Sequence, residues 1–374
     1  MKKIIDVGKN IFLISPHPVY PVLDGASRRI DGFCRYLSLQ NHRITLFSPS
    51  SVSHFAKNTG FAANIEYVNF EAKYKINYFF NPSLARLLKN RIASKPDWII
   101  LNFPYLAKTV LSIAQRYSVP VHLDEHNIES LRFKEMGRPL VSLFVDFFES
   151  YAIRKSKSIS VTSVLDYEYI KKRFSCEPVL IENFIDTDKF FPVNSEKKRE
   201  LKNKFGVDAG KIVLYFGNFT NISTQEAYKI ICQQISSDLF DINPQIKILI
   251  AGRGVKSCKN PSKNIIMVGE LEKIEELIQI ADLVIVPIVS GGGTRFKILE
   301  ALGCGVQVLS TPKGAEGLNI GDDEGLRISS IQDFPKKISD FLNTVSDDSR
   351  REFISSKVNS KYGFDNVFKK LDFL

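Results

Sequence analysis

Short runs of apolar residues recur along the chain, separated by longer stretches whose apolar positions follow a helical period. In the first half, "NIFLISP" (10–16), "RITLFSP" (43–49), "DWIILNFP" (97–104), "VPVHLDEH" (119–126) and "KSISVTSV" (157–164) have the length and hydrophobicity of buried strands. "SRRIDGFCRYLSLQN" (27–41) and "KTVLSIAQRY" (108–117) alternate as amphipathic helices do. A polar loop, "ENFIDTDKFFPVNSEKKRE" (182–200), interrupts the pattern. It resumes with "KIVLYFG" (211–217), "IKILIAG" (246–252), "NIIMVG" (264–269), "DLVIVP" (282–287) and "VQVLST" (306–311). Several of these runs stop at Gly or Pro, where the chain turns towards its next element. Strands alternating with helices predict parallel sheets covered on both faces. The expected fold is therefore α/β, with two doubly wound domains facing one another across a cleft. Ligands on such sheets bind beyond the carboxyl ends of the strands.

Composition narrows this picture only slightly. A chain of 374 residues is long for one core and comfortable for two domains, and its 44% apolar, 25% charged make-up is that of a folded protein. The cysteines, Cys34, Cys176, Cys232, Cys258 and Cys304, are scattered, odd in number and without CxxC spacing. Neither a zinc site nor a disulfide framework is indicated, and reduced thiols in the cytoplasm are expected. The start, "MKKIIDVGKNIFLIS", lacks the uninterrupted apolar segment of a signal peptide. The most apolar helical stretch, "PLVSLFVDFFESYAI" (139–153), is too short to cross a bilayer and contains Asp146 and Glu149. A mostly buried helix is expected there, a membrane-facing one being the alternative. Net charge is +10, with basic clusters at 86–95, 170–174 and 197–204. That excess suits nucleic acid, anionic lipid or phosphorylated substrates, and charge alone does not choose among them.

The most informative segment is "SGGGTRFKILEALGCGVQVLSTPKGAEGL" (290–318). Ile298, Leu299 and Leu302 recur at helical spacing, which predicts a helix beginning near Thr294. Arg295 and Lys297 then stand at a helix start, where cations oppose the macrodipole. A bound diphosphate would resolve the conflict: free N–H groups would donate to its oxygens and the cations would offset its charge. Glu300 falls on nearly the same helix face as Lys297 and suits two vicinal hydroxyls, as on a ribose. The alternative is a flexible turn with an ordinary surface salt bridge. No GxxxxGK[ST] P-loop is present. In "LDEHN" (123–127), His126 taken alone reads as a structural hydrogen-bonding residue before a catalytic one. A metal there would need more ligands than His122, Asp124 and Glu125 supply in one geometry.

"ADLVIVPIVSGGGTRFKILEALGCGVQVLSTPKGAEGL" (281–318) resembles the signature region of glycosyltransferase family four, also called group 1, with the GT-B fold. "LISPHPVYPVLDGASRRIDGFCRYL", "VHLDEHNIESLR", "SVLDYEYIKKRF", "LIENFIDTDKFFP", "VLYFGNF" and "ILIAGRG" follow in the family's order. The resemblance implies two Rossmann-like domains: an acceptor-side domain over 1–190, completed by a C-terminal helix at 355–374, and a nucleotide-sugar-binding domain over 191–354. It implies transfer from a UDP- or GDP-sugar with retention, without cofactor and without a metal at the diphosphate. Glu300 would hold the ribose, while the backbone of Gly292, Gly293 and Thr294 contacts sugar and phosphate. Arg295 and Lys297 would neutralise the leaving group. His126 would support the developing oxocarbenium ion, and Gly25 would approach the donor phosphates or acceptor. Arg28, Arg29 and Glu125 are acceptor-side candidates, an exposed helix cation being the other reading of either arginine. Two positions depart from the family pattern. Gly292 replaces a frequent glutamate, and Asn218, a donor-side residue, replaces a frequent arginine.

The implied acceptor is a glycan or lipid-linked glycan in bacterial surface polysaccharide or lipopolysaccharide synthesis. The implied location is cytoplasmic, with peripheral contact at an anionic inner membrane face. The rival readings are an inactive sugar-nucleotide-binding protein and a basic nucleic-acid-binding protein. The second predicts aromatics interleaved with Lys and Arg on a surface, whereas the aromatics here sit mostly in apolar runs. No nucleic-acid partner is expected.

Overall fold

A strand buried on both faces of a parallel sheet needs side chains that are apolar nearly throughout, and the apolar runs meet that need. The computed structural model describes residues 8–49, 64–72, 79–207, 210–255, 262–292, 295–343 and 347–372. Residues 1–7, Cys258, Gly293 and Thr294 lie outside the described residues. The chain divides into two compact units, one ending at Glu182 and rejoined at Phe368, the other running from Asn183 to Val367.

In the first unit, the strands are β1 (Asn10–Ile14), β2 (Arg43–Pro49), β3 (Ile65–Phe70), β4 (Trp98–Asn102), β5 (Val121–Glu125), β6 (Ser158–Val161) and β7 (Val179–Leu180). They form one parallel sheet in the order β3-β2-β1-β4-β5-β6-β7. The connecting helices are α1 (Gly25–Leu39), α2 (Pro82–Arg91), α3 (Ala107–Arg116), α4 (Glu129–Glu135), α5 (Pro139–Lys155) and α6 (Val164–Phe174). The strand order reverses between β1 and β4, which opens a crevice beyond their carboxyl ends. His122, Leu123, Asp124 and Glu125 lie level with Ser158, Ile159, Ser160 and Val161 of β6.

The second unit contains α7 (Ser195–Lys204), β8 (Ile212–Phe216), α8 (Ile222–Ile230), α9 (Ser236–Ile242), β9 (Lys247–Ala251), β10 (Ile265–Gly269) and α10 (Ile274–Ile280). It continues through β11 (Leu283–Val286), α11 (Phe296–Gly303), β12 (Val308–Ser310), β13 (Leu326–Ile328), α12 (Phe334–Leu342), α13 (Asp348–Tyr362) and α14 (Phe364–Phe368). Its parallel sheet has the order β10-β9-β8-β11-β12-β13, reversing between β8 and β11. Every residue of β8 and β11 is buried.

Three expectations need correction. The units meet at Glu182 and Asn183 rather than at 190, and α13 packs on α11 inside the second unit, so the return to the first unit begins at Phe368 rather than 355. Strands β3, β7 and β13 were not anticipated, because β3 alternates polar with apolar and the other two are very short. Finally, α5 is not mostly buried: one face is, but Leu140, Leu143, Phe144 and Phe147 are exposed.

Candidate functional site

The glycine loop follows β11 at the reversal point of the second sheet, and α11 starts at Phe296. Arg295 occupies the N-cap with extended dihedrals, and no side chain caps the helix. Its guanidinium instead folds back over the loop, donating from Nη1 to the Gly292 carbonyl (3.0 Å) and from Nη2 to those of Gly291 (2.7 Å) and Ser290 (3.3 Å). Arg295 thus shapes the loop as well as charging it. Gly291 has φ +86°, a conformation glycine adopts without strain. Ser290 Oγ donates to the carboxylate of Glu226 on α8, tying the loop to the neighbouring helix.

Lys297 has a half-buried stem and a buried ammonium with no hydrogen-bond acceptor. Nζ lies 4.8 Å from the centroid of the Tyr215 ring on β8. It also sits against the turn after β8, where a Cβ added to Gly217 would come within 2.9 Å of it. Burial, followed by the nearby Arg295 charge, pushes its pKa down to about 7. Glu300, one turn further on, is 4% exposed. Asn218 orders the β8–α8 turn, its Oδ1 accepting from the Thr220 N–H (3.0 Å) and hydroxyl (2.8 Å). The turn after β9 closes tightly on this one: Gly252 has φ +136°, and a Cβ there would lie 1.9 Å from the Gly217 carbonyl oxygen. Two cations therefore lie near one another at the ends of β8 and β11, and among the described residues no carboxylate is hydrogen-bonded to either.

In the first unit, His126 follows β5 and is 7% exposed. Its Nε2 lies 3.1 Å from Asp124 Oδ2 and 3.2 Å from Asn102 Oδ1. Those acceptors fix the ring proton on Nε2 and leave Nδ1 an acceptor. The Phe103 ring, on a residue held at φ +63°, lies 3.9 Å from the imidazole. Burial lowers the His126 pKa against the raising effect of Asp124, so the ring is neutral at pH 7. Burial alone would raise the Asp124 pKa, but Arg29 and His126 hold the carboxyl well below the usual range. His122, on the same strand, bonds Ser158 and Ser160 at 2.9 and 2.8 Å, and burial pushes its pKa down to about 4.

Two acceptor-side candidates are not available to an acceptor. Arg29 is 1% exposed, paired at 2.8 and 2.6 Å with Asp124 and bonded to the Glu182 carbonyl at 3.0 Å. It is a structural anchor for the strand that carries His126. Glu125 is fully buried, its carboxyl oxygens have no hydrogen-bond partner, and burial followed by Glu149 and Glu129 pushes its pKa well up. Strand alternation explains the contrast, since Asp124 and Glu125 face opposite sides of β5. Gly25 is the exposed first residue of α1, which Asp24 caps through the Ser27 N–H (2.8 Å), and Arg28 is half-buried. In the second unit Arg295 is bonded to Gly292, Lys297 sits against the turn that carries Asn218, and Glu300 lies one turn further along α11. Tyr215, Asn102 and Phe103 were missed, because each sits in an apolar or strand-end run with no spacing signal.

A Rossmann-like unit with two cations at its reversal point has the charge and position of an anion-binding site. Comparison with known proteins gives the chain its family. The model for "Glycosyltransferase Family 4" matches residues 23–189 and that for "Glycosyl transferases group 1" matches residues 210–344. Together these take in most of the chain, which belongs to the group 1, family 4 glycosyltransferases. A relative 23% identical over 96% of this chain and 99% of its own is the "uncharacterized 44.6 kDa protein in cps region" of Klebsiella pneumoniae. The sucrose-phosphate synthase of Thermosynechococcus elongatus matches with a TM-score of 0.77 at 14% identity, covering 98% of this chain and 97% of that one. HepE of Anabaena in complex with UDP-glucose matches with a TM-score of 0.71 at 15% identity, covering 98% of this chain and all of that one (100%). The fold is GT-B.

Proposed function

We propose that this glycosyltransferase moves a sugar from a UDP- or GDP-sugar to a glycan or lipid-linked glycan, with retention and without a metal. The observation carrying this reading is the buried, unpartnered ammonium of Lys297 beside Arg295 at the start of α11. A nucleoside diphosphate supplies the missing anion, and protonated Lys297 stabilises it further as charge grows on the leaving oxygen. Glu300 accepts from the ribose hydroxyls. Neutral His126 accepts from a sugar hydroxyl at Nδ1. The bond from the anomeric carbon to the diphosphate oxygen breaks, the acceptor oxygen bonds to that carbon from the same side, and its proton passes to the departing diphosphate. No carboxylate base is required for this sequence. A donor like that of the HepE complex fits the site's charge, and the cps-region relative supports a role in surface polysaccharide synthesis. Peripheral contact with an anionic membrane would bring a lipid-linked acceptor within reach.

The test pairs a nucleotide-sugar panel with Glu300→Ala. Wild-type protein should bind UDP or GDP, and the variant should lose at least about tenfold in affinity, the scale of one charge-assisted hydrogen bond. NMR of the product should show the donor's anomeric configuration. Wild-type affinity in the variant overturns the ribose assignment, and an inverted product overturns the mechanism.

A further inference from the structure

Helix α5 is apolar on two faces, and only one of them is covered. Val145, Phe148 and Ala152 face the core. Leu140, Leu143, Phe144 and Phe147, at positions i, i+3, i+4 and i+7, are 80, 69, 52 and 70% exposed. Isolated exposed apolar residues are ordinary, but a continuous stripe of four marks a surface that something covers. The acids of the helix are withdrawn from it. Asp146 is held by Arg173 at 2.5 and 2.7 Å, and Glu149 is buried, accepting from the Glu129 N–H at 2.6 Å. The ends of the helix carry exposed bases, Arg138 before it and Arg154 and Lys155 at its close.

A second feature adjoins the stripe. Helix α3 packs on α5 and α2 packs on α3. Between α2 and α3 lies a groove of about 440 Å³ whose lining includes Lys89, Lys108, Arg116, Thr109 and Ser112. Phe80 lines the same groove and packs on Phe148 of α5 with ring centroids 5.7 Å apart, and Phe148 in turn packs on Phe144 and Phe147 of the stripe at 5.1 and 5.4 Å. Lys108 Nζ stands 4.8 Å from the Tyr151 ring of α5. An apolar stripe thus runs beside a basic, hydroxyl-lined groove.

We propose that this face docks on an anionic lipid bilayer, the stripe entering the boundary between headgroups and acyl chains while the groove takes a headgroup phosphate. Among the described residues no helix is long and apolar enough to cross a membrane, so α5 lies in the interface rather than spanning it. A second copy of the chain fits worse, because stripe-to-stripe pairing brings the two sets of bases together. The inference rests on the membrane contact of the proposed function and gives it a surface.

The experiment is co-sedimentation of the full chain, without nucleotide, with vesicles of phosphatidylcholine alone or mixed with phosphatidylglycerol. Wild-type protein should partition onto the mixed vesicles only. Leu143→Ser/Phe147→Ser and Lys89→Glu/Arg116→Glu should each reduce partitioning by about tenfold or more, since an interfacial base contributes about fivefold. Melting temperature and nucleotide affinity should not change in either variant. Wild-type protein that ignores the vesicles, or variants that bind as well as wild type, overturns the proposal. So does a wild-type dimer in sedimentation that the stripe variant makes monomeric. Nucleotide binding is read separately, so failure here leaves the donor site standing.

Discussion

Replacing Lys297 by Met separates an ammonium kept for a ligand from one kept for the fold. Burial pushes its pKa in the folded protein down to about 7, against 10.5 for a free lysine. The folded value is the lower one, so the unfolded chain binds more protons between those limits and stability rises with pH across that window. At pH 7 the charged form costs the folded state about 4 kcal/mol. Methionine keeps the length and the packing on Tyr215 while removing the charge. Relaxation and water recover part of the penalty in wild type, which leaves a gain of roughly 1–3 kcal/mol, or about 3–10 °C in melting temperature. The same variant should lose the thermal shift that UDP or GDP gives wild type. Calorimetry supplies a second reading. A bound diphosphate raises the lysine pKa, so wild-type affinity should fall by up to about tenfold per pH unit above 7 while the nucleotide's terminal phosphate stays ionised above about 6. The Met variant should show no such slope. If it melts below wild type and binds nucleotide normally, Lys297 is structural and the diphosphate reasoning fails.

Asp124→Asn leaves the buried Arg29 guanidinium without its countercharge and should cost about 3–5 kcal/mol in denaturant unfolding. Because the Asp124 pKa is held below its unfolded value, this stabilisation is complete above about pH 4 and is lost as pH falls towards the folded value, so the variant should show a weaker acid dependence. His126→Ala should lower turnover by roughly two to four powers of ten while nucleotide affinity holds, and unchanged turnover would remove the residue from the chemistry.

How much of this could be read from the sequence varied with the interaction concerned. Parallel strands buried on both faces leave a continuous apolar run, so β1, β2, β4, β5, β6 and the strands around β11 were legible. Strand β3 was not, because Glu66 and Asn69 break its run. The conflict between the α11 dipole and its two cations was equally plain, and the structure deepens it: among the described residues nothing acidic is hydrogen-bonded to either. What stayed hidden was direction. Nothing in "LDGASRR" says that Arg29 turns inwards to Asp124, far away along the chain. Nor does "LDEHN" by itself say which of two adjacent acids bonds the histidine. Spacing predicts a face, whereas pairing needs the fold.

The two arginine–lysine environments show what distinguishes a working charge from a structural one. Arg29 is 1% exposed, yet its charge is matched by a bidentate carboxylate and a carbonyl, and burial closes it to a ligand. Among the described residues, Lys297 meets the face of an aromatic ring and no hydrogen-bond acceptor. A folded chain selected only for stability would neutralise or expose such an ammonium, since either change removes a penalty of several kcal/mol. Keeping it beside Arg295, on a helix start with no side-chain cap, violates the local electrostatic rule twice within three residues. Local rules broken together in this way are expected at functional sites, and the proposed reading gives this one a partner that arrives from solution. On the proposed reading, the diphosphate of a nucleotide sugar is that partner and supplies the anion this helix start lacks.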